Sequence, residues 1–219
     1  ICEGTDKEKL DWFKIINIAG VELTQQELRN AIYTGEWLTD AKKYFSKKDC
    51  PAQKEYSSYL NGACNRQDFL ETAISWIASA AGNTIEEYMA LHQHDKNASK
   101  LWLYFKGVME WVKTIFPHYR KEMKGIEWGL LYNQYSEQDF DPATLEAEVQ
   151  RLMMDDDVSR KSGIYEYLID GKEKHLSIRA FTPAVMLMYG KVSQENYVEL
   201  TAASAIPNKE IKSPQILRY

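Results

Sequence analysis

The spacing of the apolar residues constrains the fold of this chain more than any other feature. Most windows follow the helical period of about 3.6 residues, and windows with the alternating period of a β-strand are scarce. In "ASKLWLYFKGVMEWVKTIF", Leu101, Phe105, Val108 and Val112 fall on one side of a helix that ends shortly before Pro117. We expect this stretch to be the central helix of a mainly α, multi-helix bundle-like domain.

Glycine and proline mark the limits of several further helices. The stretch 37–45 predicts a helix that follows a stop at Gly35, and "SKKDCPAQKEYSSYLNGACN" after it predicts a loop. Gly82 is expected to end the helix in "RQDFLETAISWIASAAGN", whereas Asp141 and Pro142 begin another as N-cap and first residue. Near the C-terminus, "GIYEYLIDGKEKHLSIRAF" predicts a short helix, a turn and a segment that fits either helix or strand. Minor β structure therefore stays open there.

The stretch "INIAGVELTQQELRNAIYTG" forms a tightly punctuated corner between two predicted helices. Gly20 can end the first helix in the left-handed conformation that glycine adopts without steric cost. Thr24 is placed as the N-cap of the second helix, with Glu27 completing a capping box and Leu23 packing on Leu28 as a hydrophobic staple. Local physics thus predicts a structural corner.

Composition excludes several classes of protein. The chain has 219 residues, which is enough to bury a core without a disulfide or a metal. Cys2, Cys50 and Cys64 are odd in number, far apart in sequence and without a Cys-x-x-Cys pair, so we expect neither a disulfide framework nor a zinc site. No signal-peptide pattern and no apolar run of about 18 residues is visible. These observations predict a cytoplasmic protein without membrane contact.

Motifs with a catalytic rationale are missing from the sequence. There is no Gly-x-x-x-x-Gly-Lys phosphate loop, no Gly-x-Ser-x-Gly elbow and no His-Glu-x-x-His. His92 and His94 point to different sides of a helix, and the run Asp155–Asp157 lacks the alternating oxygens of a calcium loop. We interpret both as exposed polar side chains, and we predict no catalytic residue and no metal site.

Positive charge is concentrated in one part of an acidic chain. The net charge of −5 argues against a surface that attracts nucleic acid everywhere. One window nevertheless collects six cations against two glutamates: Lys100, Lys106, Lys113, Arg120, Lys121 and Lys124. A solvated helix face is the interpretation we favour, and a local phosphate-facing patch stays open as the alternative.

Beyond these patterns, the stretch 13–35, "FKIINIAGVELTQQELRNAIYTG", resembles the signature F-x-x-I-N-x-x-G-x-x-L-x-x-x-E-L-R-N-A of GmrSD-type, ParB/sulfiredoxin-like proteins. The resemblance continues through "WLTDAKKYFSK", "YLNGACNRQDFLETAISWI", "FPHYRKEMKGIEWGLLYN" and "KSGIYEYLIDGKEKHLSIRAF". It covers about residues 8–182 and is similar to the subgroup in which an HNH nuclease module follows the ParB-like domain.

The resemblance implies a division of the chain and of the activity. Residues 1–182 would be the helical portion of such a protein, and residues 183–219 a divergent, loosely structured tail in place of the nuclease module. In the family, an upstream Asp-Gly-Gln-Gln-Arg-like motif handles the nucleotide and a downstream module with Cys-x-x-Cys and Asp-His cleaves DNA. Neither motif occurs here, so we expect the nucleotide and the divalent metal only in the full-length family member, and no cofactor in this chain.

Three residues matched to the signature have no local structural role: Asn17, Arg29 and Asn30. Arg29 carries a forked donor suited to phosphate or carboxylate. Asn17 lies near the end of the first helix, where it could order the corner or reach a nucleotide. We favour a structural role for all three, and a nucleotide-facing or DNA-facing role stays open.

Two functional hypotheses follow from these observations. In the first, the chain is a non-catalytic helical portion of a restriction or phage-defence DNA endonuclease and contacts DNA through the basic face Lys100–Lys124. In the second, it is a helical interaction protein that pairs with an intact relative or with itself. Whether the chain takes part in an enzymatic reaction is left open.

Overall fold

The computed structural model of the protein describes residues 25–178, together with residue 8. Within residues 25–178 the chain forms nine α-helices: α1 (Gln25–Ile32), α2 (Glu36–Phe45), α3 (Pro51–Tyr56), α4 (Asp68–Ala80), α5 (Ile85–His92), α6 (Ser99–Ile115), α7 (Trp128–Tyr135), α8 (Pro142–Met154) and α9 (Gly163–Asp170). Three short 3-10 helices lie between or after them: Cys64–Arg66, Lys121–Met123 and Glu173–His175.

The predicted mainly α class is confirmed. The minor β structure left open near the C-terminus is represented, in the part of the chain that the structure describes, by a single antiparallel bridge between Val158 and Ile178. No helix of residues 25–178 has both the length and the apolar character that a membrane crossing requires.

Helices α4 and α6 occupy the middle of the core. As predicted, Leu101, Phe105, Val108 and Val112 of α6 are buried. Helix α4 shares this central position because it packs against five other helices, namely α1, α2, α5, α6 and α7. The sequence pointed to α6 through the four apolar residues on one side of a long helix, whereas the position of α4 depends on how many neighbours approach it.

Helix α7 approaches α4 closely at Gly129. Gly129 lies against the indole of Trp76, and a Cβ atom at that position would be only 2.2 Å from Trp76 Cγ. The Phe105 ring of α6 also stacks on the Trp76 indole, at a centroid distance of 5.9 Å. Trp76 Nε1 donates a hydrogen bond of 2.7 Å to Glu127 Oε2, so the one polar atom of this buried ring is satisfied.

A chain of hydrogen bonds extends this contact. Asn133 Nδ2 on α7 donates to the Trp76 carbonyl at 2.9 Å, and Tyr104 OH on α6 donates to Asn133 Oδ1 at 2.6 Å. Burial raises the pKa of the Tyr104 hydroxyl, so it remains a donor over the whole ordinary pH range. The three central helices are therefore joined by polar as well as apolar contacts.

Most predicted helix limits agree with the structure. Gly82 follows α4 with a φ of +70°, and Asn83 N–H closes the turn by donating to the Ala78 carbonyl at 2.9 Å. Asp141 caps α8 by accepting the Thr144 N–H at 3.0 Å.

Two local predictions were wrong. Part of the expected loop after α2 is the helix α3, which begins with Cys50 as N-cap and Pro51 as its first residue. Gly35 does not end α1, which stops at Ile32, but instead precedes α2 in an extended conformation. A glycine is needed there because a Cβ atom would lie 2.5 Å from the Gln93 carbonyl oxygen.

The Gly129→Ala substitution should destabilise the protein by about 1–3 kcal/mol or more, because the added methyl group overpacks the contact between α4 and α7. The measurement is the free energy of unfolding from denaturant titration. Gly107→Ala on α6 is the matched control, since its Cβ atom would meet only the Tyr132 hydroxyl at 3.5 Å. That variant should gain up to about 1 kcal/mol from helix propensity. Equal stability of the two variants would contradict the proposed packing.

Candidate functional site

The predicted corner is only partly within the described residues. Asn17, Gly20, Leu23 and Thr24 lie outside them, so the glycine turn, the staple and the capping box with Glu27 stay predictions. Arg29 and Asn30, the other two unexplained residues of the corner, lie on α1.

Arg29 connects three helices. Its Nη1 atom lies 2.7 Å from Glu71 Oε1 on α4, and its Nε atom lies 2.7 Å from Glu86 Oε1 on α5. Only 12% of the Arg29 side chain is exposed. The forked guanidinium is thus directed at carboxylates of its own chain, which supports the structural role.

Asn30 belongs to a buried amide cluster. Its Nδ2 atom donates to Gln67 Oε1 at 3.2 Å, and Gln26 Nε2 donates to Asn30 Oδ1 at 2.9 Å. Gln26 is completely buried, and its Oε1 atom finds no hydrogen-bond donor in the structure described for residues 25–178. Gln26 and Asn30 are four residues apart, so their contact on one side of α1 was visible in the sequence. Gln67 joins them only because α4 packs on α1.

Arg120, in the predicted basic stretch, is engaged by an acidic residue. Its Nη1 atom donates to Glu146 Oε2 at 3.1 Å, and Nη2 contacts Glu146 Oε1, which makes a bidentate pair between the 3-10 region and α8. These hydrogen bonds from Arg120 lower the pKa of Glu146 to about 2. Arg120 is therefore a structural cation.

The cations of α6 are also partly used within the fold. Lys113 Nζ lies over the Tyr56 ring, 4.5 Å from its centroid, in a cation–π contact. Lys106, two turns earlier on the same side of α6, is half-buried, and Glu110 lies between the two lysines along the helix. Lys100 is exposed at the start of α6. This side of the helix does not present an uninterrupted positive surface.

Two lysines of the predicted stretch project into solvent from the segment 117–124, which we call the basic loop. Lys124 is exposed, and 90% of the Lys121 side chain is exposed, with its Nζ atom 3.9 Å from Glu122 Oε1. His118 on the same loop is 70% exposed, and its Nδ1 atom lies 3.6 Å from Glu146 Oε2. Of the six cations in the predicted stretch, Lys100 at the start of α6 and these two lysines of the basic loop are the exposed ones.

Hydrogen bonds within and directly after the basic loop hold it in place. Tyr119 OH donates to the Ser58 carbonyl at 3.2 Å, and Gly125 N–H donates to the Tyr59 carbonyl at 2.8 Å. Trp128 Nε1 donates to the Met123 carbonyl at 3.1 Å. The loop therefore presents its lysines from a well-anchored backbone.

The acidic and histidine residues show local pairings. His92 Nδ1 lies 2.6 Å from Asp95 Oδ2, and Asp157 N–H donates to Asp155 Oδ1 at 2.9 Å. His175 Nε2 lies 2.8 Å from Asp170 Oδ2, a contact that joins the last 3-10 helix to α9 and that sequence reasoning missed. Among the residues that the structure describes, no three His, Cys, Asp or Glu side chains are grouped to hold a metal ion.

An open cleft of about 460 Å³ lies at the start of α2. Asp40, in its wall, accepts the Ala98 N–H at 3.0 Å and pairs with Lys43 at 2.9 Å. The Ala98 hydrogen bond is the main cause of a lowered Asp40 pKa. The lining carries both signs of charge and consists of Thr34, Gly35, Glu36, Thr39, Asp40, Lys43 and Lys96.

Comparison of this chain with protein-family models, with curated proteins and with solved structures finds no significant match. The resemblance to GmrSD-type proteins therefore stays a prediction.

The Arg29→Ala substitution should lower the free energy of unfolding by about 1–3 kcal/mol, because Glu71 and Glu86 lose the guanidinium between them. Denaturant titration measures the loss. Arg66→Ala is the matched control, since Arg66 is exposed, and it should change stability by less than about 0.5 kcal/mol. If the two variants are equally stable, the structural role of Arg29 is refuted.

Acid should weaken the contact between Arg120 and Glu146. The pKa of Glu146 is lowered from 4.5 to about 2 in the folded protein, so its stabilising contribution is present above the unfolded pKa and is lost as the pH falls through the folded pKa. The stability difference between the wild type and Glu146→Gln should therefore be largest near neutral pH and shrink between about pH 4.5 and 2. Denaturant titrations across this range, with the exposed Glu137→Gln as control, measure the difference. A difference that does not depend on pH would contradict the pairing.

Proposed function

We propose that this chain is the helical, non-catalytic portion of a GmrSD-like, HNH-linked DNA endonuclease of restriction or phage-defence type. Its task is to hold the nucleotide-handling and nuclease parts in position. The resemblance of residues 8–182 to that subgroup supports the family assignment, and the densely packed helices around α4 and α6 are suited to a rigid spacer. Nucleotide and divalent metal belong, in this proposal, to the full-length protein.

The part of the chain that contacts DNA is the basic loop. The observation that carries this assignment is the exposure of Lys121 and Lys124 on a loop that is held by the Tyr119 hydroxyl bond to Ser58 and, directly after the loop, by the Gly125 N–H bond to Tyr59. Lysines neutralise DNA phosphates as mobile point charges and release counterions, which yields affinity without sequence specificity. Because the loop backbone is already ordered, binding costs little additional conformational entropy.

The internal pairings explain why we do not assign Arg29 and Arg120 to the DNA contact. A guanidinium that leaves a carboxylate to bind phosphate must first lose that interaction, so Arg29 and Arg120 are poor phosphate ligands. Arg120 serves the interface indirectly, because its link to Glu146 on α8 fixes the middle of the basic loop. Contacts between lysines and phosphates do not depend on the base sequence. They are therefore suited to a region that positions DNA for a nuclease module in another part of the full-length protein.

Fluorescence anisotropy with a labelled DNA duplex at low salt tests the proposal. The double variant Lys121→Ala/Lys124→Ala should bind more weakly than the wild type. The slope of log Kd against log salt concentration should fall by about 1 for each lysine that contacts a phosphate. Lys47→Ala/Lys48→Ala removes two exposed, adjacent lysines from the segment after α2 and is the matched control.

Equal losses in the two double variants would show a non-specific charge effect and would contradict the basic-loop assignment. Absence of DNA binding by the wild type would favour the interaction-protein hypothesis. When Mg²⁺ is added to the same samples, gel electrophoresis should show intact DNA. Metal-dependent cleavage by this chain would refute its non-catalytic role.

A further inference from the structure

The structure brings together two cysteines that are far apart in the sequence. Cys50 is the N-cap of α3, and Cys64 begins the 3-10 helix that precedes α4. Gln53 Oε1 on α3 accepts the N–H of Asp49, the residue before Cys50, at 2.8 Å, and the Cys64 thiol is near enough to Cys50 to raise its pKa. Cys64 Sγ also donates to Gln53 Oε1 on α3 at 3.2 Å, which places Cys64 directly over the start of that helix.

Both thiols are covered, but each lies beside an exposed turn. Cys50 and Cys64 are 3% and 5% exposed, respectively. Lys47, Lys48 and Asp49 immediately before Cys50 are exposed. Exposed residues also flank Cys64 in the sequence: Asn61, Gly62, Asn65 and Arg66. Local opening of either turn would expose a sulfur without unfolding of the core.

The surroundings of Cys50 favour its thiol form over the thiolate. Burial is the main cause that raises the pKa of Cys50, and the adjacent Cys64 raises it further, while the backbone N–H groups of Gln53 and Ala52 act in the opposite direction. A thiol with a raised pKa reacts slowly on its own. Two neighbouring thiols react differently. When one of them forms a mixed disulfide, the other attacks that mixed disulfide before it is reduced again.

We propose that Cys50 and Cys64 form a reversible disulfide when a small-molecule disulfide such as oxidised glutathione is the oxidant. One protein thiol loses its proton, attacks a glutathione sulfur and expels a glutathione thiolate, which leaves a mixed disulfide. The second protein thiol then loses its proton, attacks the protein sulfur of the mixed disulfide and expels the second glutathione thiolate. Two protein thiols are oxidised to one disulfide, and one oxidised glutathione is reduced to two glutathione molecules.

The disulfide between Cys50 and Cys64 would restrain the segment that accepts hydrogen bonds from the basic loop. Residues 51–63 lie between the two cysteines, and within them the carbonyl groups of Ser58 and Tyr59 accept the hydrogen bonds that hold the loop at Tyr119 and Gly125. A covalent closure restricts the motions of the enclosed chain. Oxidation should therefore slow hydrogen exchange at the Gly125 amide, and this effect does not depend on DNA binding.

The full chain with Cys2→Ser tests the proposal, because only the pair remains. After incubation with oxidised glutathione and alkylation of free thiols, mass spectrometry should show the loss of two hydrogens, no alkyl group and a peptide cross-link between positions 50 and 64. Amide exchange at Gly125 should slow at the same time. Adding Cys50→Ser or Cys64→Ser leaves one thiol, which should stop at a stable glutathione adduct or remain free.

Two alkylatable thiols, two persistent glutathione adducts or only intermolecular cross-links in the Cys2→Ser chain would overturn the proposal. A second measurement avoids dependence on the serine variants. A trivalent arsenical that bridges adjacent thiols should bind the unsubstituted, folded chain at one site, which peptide mapping should locate at positions 50 and 64. Failure of the arsenical to bridge these two positions would count equally against the pair.

Discussion

The contact between Trp76 and Gly129 is the constraint on which the rest of the structure depends. Only a residue without a side chain lets α7 approach α4 this closely, and the indole then fills the space between α4, α6 and α7. Glu127 and Asn133 satisfy polar groups of Trp76 on either side of the glycine. Because Trp128 holds the Met123 carbonyl, the position of α7 also determines where the basic loop lies.

Ion pairs determine which cations are available for binding. Arg29 and Arg120 look like suitable phosphate ligands in the sequence, but each is directed at carboxylates on other helices. A partly buried guanidinium is stabilised by such partners and would lose their interaction on binding an anion. The cations that remain exposed in the basic stretch are at its ends, and the two on the basic loop are the ones we assign to DNA.

The segment between α2 and α4 links the two proposals. It was expected to be a loop, but it contains α3, brings the Cys50 and Cys64 thiols together and supplies the carbonyl groups that hold the basic loop. A chemical change at the thiols would therefore act on the same backbone that presents Lys121 and Lys124. The connection is mechanical, since it passes through hydrogen bonds to Ser58 and Tyr59 rather than through charge.

The sequence by itself determined the mainly α class, the buried side of α6 and the limits at Gly82 and Asp141, because these depend on residues within one or two helical turns. It also located the stretch that contains the exposed lysines. Only the tertiary structure decided that Arg29 and Arg120 are paired, that Gln67 completes the amide cluster of Asn30 and that the two cysteines meet. Those contacts join residues distant in the sequence, and helical periodicity carries no information about which helix faces which.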